Sequence, residues 1–170
     1  MLSIFRRIMD IDGMYDALGV DTDNFGCVML DVKLTGLKHT PAMLAFKDMG
    51  FLPFEHHVTL LYGLLKPAIE WRGHIDNLLS GFDSTMPIWG KGLSIFGDGT
   101  QDIVVVEVAN DQINNANQEL KRLPHIDTYA YRPHITLAYM PVGLGQVFIK
   151  EVGNWGLGML GYGTDINYGD

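Results

Sequence analysis

The stretch His57-Val58-Thr59-Leu60-Leu61-Tyr62 decides the fold, because its residue pattern occurs a second time in the chain. Residues 134–139 repeat it as His-Ile-Thr-Leu-Ala-Tyr. Each copy reads histidine, apolar, threonine, apolar, apolar, tyrosine. Agreement over a whole stretch of this kind indicates an internal duplication, and an internal repeat determines the architecture of a domain.

Both copies have the pattern of a β-strand, in which successive side chains point to opposite faces. The histidine and the threonine of each copy then share one face, and the apolar residue between them points the other way, into a core. The closing tyrosine of each copy, Tyr62 or Tyr139, has the opposite parity from its histidine. Strict alternation therefore predicts that both tyrosines pack in the core.

The composition is that of a globular protein, since 47% of the residues are apolar and 19% are charged. A length of 170 residues fits one compact domain, or two small lobes that share a core. The net charge of −8 argues against a long electrostatic footprint on RNA or DNA, which would need many lysines and arginines. A small nucleotide in a locally basic cleft is compatible with this charge.

Cysteine usage and the N-terminal stretch bear on the compartment. The single cysteine, Cys27, excludes an internal disulfide and a multi-cysteine metal site. Residues 2–18 mix apolar and charged residues, which predicts an amphipathic helix docked on the body instead of a secretory signal or presequence. No stretch reaches the apolar length of a membrane span, so we expect no membrane contact and a cytoplasmic location.

The predicted elements follow a similar order in the two halves of the chain, because in each half the motif strand comes after a helix. This repetition predicts a single domain, 1–170, whose two β-α-β-like lobes span about 25–152. An approximate twofold axis that relates the two lobes would bring the two motif strands together across a central cleft. The predicted elements are a strand at 25–32, a helix at 41–49, the first motif strand at 55–62, a helix at 67–79, a hairpin of 92–96 and 102–108, a helix at 110–123, the second motif strand at 131–139 and a strand at 146–152.

The segment 153–170 has a different composition from the rest of the chain. It contains six glycines together with Trp155, Tyr162 and Tyr168. A frayed tail is one interpretation of such a segment. The other is a flexible lid that carries aromatic side chains over the cleft.

Two histidines that flank a phosphate can divide the work of a displacement reaction. A neutral imidazole takes a proton from the attacking hydroxyl or water, and a protonated one gives a proton to the leaving oxygen. His57 and His134 are the candidates, and the hydroxyls of Thr59 and Thr136 would donate hydrogen bonds to the non-bridging oxygens. The scheme needs no metal and no cofactor, and it suits phosphodiesters next to a ribose hydroxyl or cyclic phosphates.

Four other side chains are candidates for substrate contacts. Arg132 and Lys33 would meet a phosphate, and Tyr131 and Trp155 would stack on a base. A metal site is the competing interpretation of the paired histidines. The sequence, however, has no carboxylate or third histidine at a spacing from the motif histidines that is typical of metal ligands.

The two motifs together resemble those of the 2H phosphoesterases, a superfamily that includes the RNA 2′,3′-cyclic phosphodiesterases historically called 2′-5′ RNA ligases. The second motif lies within Tyr131-Arg132-Pro133-His134-Ile135-Thr136-Leu137, and the likeness in spacing and element order covers about 25–152. The resemblance implies an α+β fold of two lobes, with two antiparallel sheets around a central cleft and helices outside. It also implies that the motif histidines are the acid–base pair and that the motif threonines bind phosphate.

One residue departs from the pattern of the family. The bacterial RNA-processing branch commonly has arginine or lysine five residues after the second histidine, where this chain has Tyr139. With the net acidity, this favours a closer resemblance to the single-domain branch that includes phage phosphodiesterases degrading cyclic di- and trinucleotide alarm signals, the anti-CBASS enzymes. The predicted activity is cleavage of small cyclic oligonucleotides in a host cytoplasm. The alternatives are hydrolysis of 2′,3′-cyclic phosphates on RNA ends or small nucleotides, and nucleotide binding without cleavage.

Overall fold

The computed structural model describes residues 25–126 and 130–169, so the helix predicted at 2–18 lies outside the described residues. The described residues form a mixed α+β fold of antiparallel strands and short helices. Its strands are β1 (Gly26–Leu34), β2 (His56–Leu64), β3 (Pro87–Gly97), β4 (Asp102–Val108), β5 (His134–Met140) and β6 (Leu157–Asn167). Its α-helices are α1 (Pro41–Asp48), α2 (Arg72–Leu78), α3 (Asp111–Leu120) and α4 (Leu144–Val152), with 3-10 turns at Ala68–Trp71 and Gly153–Gly156.

The strands close into a barrel in the order β1-β2-β5-β4-β3-β6, and every neighbouring pair is antiparallel. The motif strands β2 and β5 are neighbours, and one registered pair, Val58 opposite Ile135, joins them. The prediction of two separate sheets is therefore wrong, because all six strands form one closed sheet. The rough twofold between two lobes stays a prediction.

One side of this sheet is covered by helices. The α4 backbone lies so near β3 that a Cβ on Gly145 would come within 2.9 Å of Ile95. In the 3-10 turn that follows, a Cβ on Gly156 would lie 3.0 Å from Leu93 and 3.6 Å from Val106. Val106 lies opposite Ile135, which lies opposite Val58, and cross-strand partners point to the same side. We call this the helix-facing side, and its side chains join those of all four helices in one buried apolar cluster.

The first helix, α1, has its predicted bounds to within one residue, whereas α2 begins five residues after its predicted start and α3 ends three residues before its predicted end. In α1, Thr40 is the N-cap and Pro41 the first helical residue, and the Thr40 hydroxyl accepts the Met43 backbone N–H at 3.2 Å. The hairpin of β3 and β4 and the position of α3 before β5 also agree with the predicted order. In the part of the chain that the structure describes, none of the helices has the length and apolar content that crossing a membrane requires.

The strand predicted at 146–152 is wrong, because these residues belong to α4. The β-branched residues Val147, Ile149 and Val152 suggest a strand. The buried positions of the segment, however, are Gly145, Phe148 and Val152, at the three- and four-residue spacing of a helix.

Both interpretations of the glycine-rich segment are wrong for residues 157–167, which form β6. This strand pairs with β1 on one edge and with β3 on the other, so it closes the barrel. Its glycines allow this close pairing. Gly161 has a φ of +157°, and a Cβ there would collide with the carbonyl oxygen of Lys33.

Candidate active site

The pairing of β2 with β5 brings the two motifs side by side. With Val58 opposite Ile135, extending the antiparallel register by one residue in each direction places His57 opposite Thr136 and His134 opposite Thr59. Directly opposed residues have Cβ atoms about 5 Å apart. Each half-buried histidine therefore lies beside the threonine of the other motif, on the side of the sheet away from the helices, which we call the motif side.

Each motif contains a β-bulge directly after its threonine. On β2 the residues on either side of Leu60 lie opposite successive residues of β1, so Leu60 is an extra residue. On β5 the residues on either side of Leu137 lie opposite successive residues of β4, so Leu137 is extra in the same way. A bulge inverts the alternation of side chains beyond it.

Because of the bulges, alternation assigns Tyr62 and Tyr139 to the wrong side of the sheet, although Tyr62, at 6% exposed, is buried as predicted. Beyond the bulge, both tyrosines return to the side of their own histidine, with Tyr62 opposite Cys27 and Tyr139 opposite Ile103. Burial raises the pKa of Tyr139, and the side chain of Thr136 is close enough to act against this shift. Tyr139 is therefore a neighbour of the second motif's histidine and threonine, a position that counting alternate residues assigns incorrectly.

His134 has a defined tautomer. Its Nδ1 lies 2.8 Å from the backbone oxygen of Arg132. A carbonyl oxygen can only accept, so Nδ1 carries the proton and Nε2 is the nitrogen that can exchange a proton with a substrate. Burial lowers the pKa of His134 and the charge of Arg132 adds to this, while the Nδ1 bond and the carboxylate of Glu107 act in the opposite direction.

His57 lies opposite Asp31 of β1. Burial, followed by the charges of His134 and His56, lowers the pKa of His57 to about 4. His57 is therefore neutral at physiological pH and able to accept a proton. Among residues 25–126 and 130–169, no three histidine, cysteine, aspartate or glutamate side chains are grouped so that they could hold a metal ion.

Glu107 is a site neighbour that the sequence analysis missed. It lies opposite His134 on β4, and it accepts 2.8 Å and 3.2 Å hydrogen bonds from the guanidinium of Arg132 and a 2.7 Å bond from the Ser94 hydroxyl. The Arg132 guanidinium also lies over the Phe96 ring, 4.7 Å from its centroid. The sequence signal for Glu107 is its position as the one carboxylate within the apolar run 103–108 of β4.

The other predicted contact residues lie in different places. The Tyr131 hydroxyl donates to the backbone oxygen of Thr59 at 2.8 Å, so it ties the segment before β5 to the first motif. Trp155 donates to the Thr35 carbonyl at 2.8 Å, at the turn after β1. Lys33 is exposed on the motif side of β1, two residues beyond Asp31. The structure thus brings Arg132, Tyr131 and Lys33 to the motif strands and their neighbours, and Trp155 to the end of β1.

A cavity of about 510 Å³ lies at the ends of β1 and β2, where the first motif begins. Its size is in the range of small-molecule sites. Phe54, which is 99% exposed and outside both motifs, stands at this cavity. The charged and aromatic residues that line the cavity are Asp31, Lys33, His39, Phe54, Glu55 and His56.

Comparison with protein-family models gives no match, and neither does comparison with curated proteins. The solved structures that resemble the chain include Usb1 of Kluyveromyces marxianus and the same protein with uridine monophosphate. Each matches with a TM-score of 0.50 and 13% sequence identity, over 74% of this chain and 74% of that chain. The similarity is one of fold, and the protein shares the fold of this Usb1.

Proposed function

We propose that the protein is a phosphodiesterase that uses His57 and His134 as an acid–base pair on a ribose-linked phosphodiester, at an RNA end or in a small nucleotide. The observation that carries the proposal is the register of β2 and β5, which sets each motif histidine beside the threonine of the other motif. The fold shared with a protein solved with uridine monophosphate supports a ribonucleotide as the ligand.

In the proposed reaction, neutral His57 accepts the proton of the attacking hydroxyl or water as the new P–O bond forms. His134, in its protonated form, donates the proton on Nε2 to the leaving oxygen as the old P–O bond breaks. The carboxylate of Glu107 opposite His134 favours this protonated form. The hydroxyls of Thr59 and Thr136 donate to the non-bridging oxygens, where negative charge increases in the transition state.

Cyclic di- and trinucleotides are the narrower substrate class that the sequence resemblance favours. They contain the same ribose-linked phosphodiester, so the proposed chemistry applies to them without change. They therefore belong in the substrate panel beside 2′,3′-cyclic mononucleotides and short RNAs with defined ends.

The test is turnover of this panel in EDTA by the wild-type protein and by His57→Ala and His134→Ala. Removing either member of the pair removes a proton-transfer step, so each variant should lose about two to four orders of magnitude in kcat. His74→Ala, at an exposed histidine of α2, is the matched control and should retain full turnover.

Circular dichroism of each variant checks that the fold is intact. Wild-type rates in either motif variant would contradict the acid–base assignment. Tight nucleotide binding without products from any substrate would identify a binding module in place of an enzyme.

A further inference from the structure

Three exposed apolar side chains form a strip on β3 and β6. Trp89, Met159 and Tyr162 are 47%, 41% and 44% exposed. Trp89 lies directly opposite Met159, and Tyr162 lies opposite Pro87, two residues before Trp89. We call these three residues the aromatic strip. Trp89 and Tyr162 lie on adjacent strands, and their aromatic rings are exposed enough for a ligand to contact them.

The aromatic strip lies on the motif side of the barrel. Tyr162 is opposite Lys33 of β1, and Asp31, two residues earlier on that strand, is opposite His57. Cross-strand partners and alternate residues of one strand share a side, so Tyr162 and His57 share a side. The buried residues next to the strip, Ile88 and Leu160, belong to the apolar cluster of the helix-facing side.

A lysine stands at each end of the aromatic strip. Lys33 is the direct neighbour of Tyr162, and Lys91 follows Trp89 by two residues and lies opposite Leu157. Lys91 is also close enough to Glu107 to help lower the pKa of that carboxyl group. The two ends of the strip therefore lead to the two halves of the candidate site, Lys33 towards His57 and Lys91 towards Glu107 and His134.

We propose that the aromatic strip binds the single-stranded RNA segment attached to the reacting phosphodiester, a step that rests on the proposed function. Tyr162 is two strands across and two residues along from His57, about 12 Å on the sheet. The base stacked on Tyr162 then belongs to a nucleotide next to the reacting one. Aromatic faces accept any base by stacking, and the lysines pair with the backbone phosphates.

The chemistry of the strip favours a short RNA over other ligands. A lysine at each end supplies positive charge on a chain whose net charge is −8. The strip holds two aromatic rings, so its footprint is a few nucleotides and not a long duplex. The substrate class that follows is a linear oligoribonucleotide, bound more tightly than a mononucleotide.

The experiment measures binding of a fluorescently labelled uridine trinucleotide, which lacks a cyclic phosphate, by anisotropy at low salt. Trp89→Ala/Tyr162→Ala should weaken binding roughly five- to a hundredfold, the range expected for lost base stacking. Lys33→Ala should weaken it and reduce its salt dependence. Ile69→Ala, at a 53% exposed apolar residue outside the barrel strands, is the matched control and should bind like the wild type.

A second measurement compares kcat/KM for a trinucleotide ending in a 2′,3′-cyclic phosphate with that for 2′,3′-cyclic UMP. The Trp89→Ala/Tyr162→Ala variant should raise KM for the trinucleotide. The ratio of kcat/KM for the trinucleotide to kcat/KM for 2′,3′-cyclic UMP should therefore fall. Equal RNA affinity in all variants would overturn the proposal, and this is the result expected if the strip binds a protein partner instead. Absence of trinucleotide binding by the wild type would also overturn it. Strip-dependent binding without turnover of any substrate would instead refute the proposed function and leave the aromatic strip as an RNA-binding surface only.

Discussion

At the scale of single residues, the charge of His134 depends on two neighbours with opposite effects. Burial comes first and lowers the pKa of its imidazole. The guanidinium of Arg132 lowers this pKa further, while the carboxylate of Glu107 raises it. Because Arg132 and Glu107 also pair with each other, replacing either one changes the field at the histidine in a direction that can be stated in advance.

Glu107→Gln should lower the pKa of His134, because it removes a negative charge that favours the imidazolium. If His134 is the general acid, activity falls as pH rises through its pKa, so the falling limb of kcat/KM should move to lower pH. Arg132→Gln removes a positive charge and should move the same limb to higher pH. The pH dependence of kcat/KM of both variants checks this, and shifts in a common direction would contradict it.

Alternation along a strand predicts that histidine and threonine of each motif share a side, and the register has this arrangement. The same alternation fails at Tyr62 and Tyr139, because a bulge intervenes. A bulge depends on how the partner strand is paired, and its carbonyl needs a donor from elsewhere in the fold. Neither condition is visible in six residues of sequence.

At the scale of elements, α3 holds the first bulge in place. The side-chain amide of Asn117, which is 2% exposed, donates a 2.7 Å hydrogen bond to the backbone oxygen of Leu60, the extra residue of β2. A buried carbonyl without a donor is costly, so this contact stabilises the local backbone that precedes Tyr62.

Asn117→Ala should lower the free energy of unfolding by about 1–3 kcal/mol, because it leaves the Leu60 carbonyl buried without a donor. Asn114→Ala, at an exposed asparagine of the same helix, should change it by less than about 0.5 kcal/mol. Midpoints of urea unfolding measure both values. Alanine is a better helix former than asparagine, so a similar loss in the two variants would show that the effect does not come from the bulge contact.

Apolar periodicity and capping residues predict α1, α3 and the β3–β4 hairpin, since local signals determine them. The sequence predicts a strand where α4 lies and a tail or lid where β6 lies, and the two errors have opposite local causes. Branched residues of α4 favour a strand in isolation, and only packing on the barrel reveals a helix. The glycines of β6 weaken any strand signal, yet they are what the close approach of β1 and β3 requires.

At the scale of the whole molecule, β6 completes the barrel and Gly163 shows how tightly it fits. A Cβ at this position would collide with the Ser84 carbonyl oxygen and come within 3.1 Å of the buried Leu30. Backbone atoms cannot move aside as a flexible side chain can. Closure of the sheet therefore depends on the absence of a side chain at this point.

Gly163→Ala should destabilise the protein by several kcal/mol, about the size of a severe core substitution, because it forces β6 away from its neighbours. Gly73→Ala, in α2 where an added Cβ meets nothing within 4 Å beyond its chain neighbours and its own helix backbone, should stabilise it by about 0.5–1 kcal/mol through helix propensity. Thermal unfolding compares the two alanine variants directly. A Gly163→Ala protein as stable as the wild type would mean that closure of the barrel tolerates a side chain at this position.

The position of β6 also determines when the protein can fold during its synthesis. Its two partners, β1 and β3, are translated long before it, and until residue 167 leaves the ribosome each has one edge without a partner. Unpaired strand edges invite wrong partners, and contacts between distant residues form slowly. A nascent chain halted before β6 should therefore be the form most in need of chaperones.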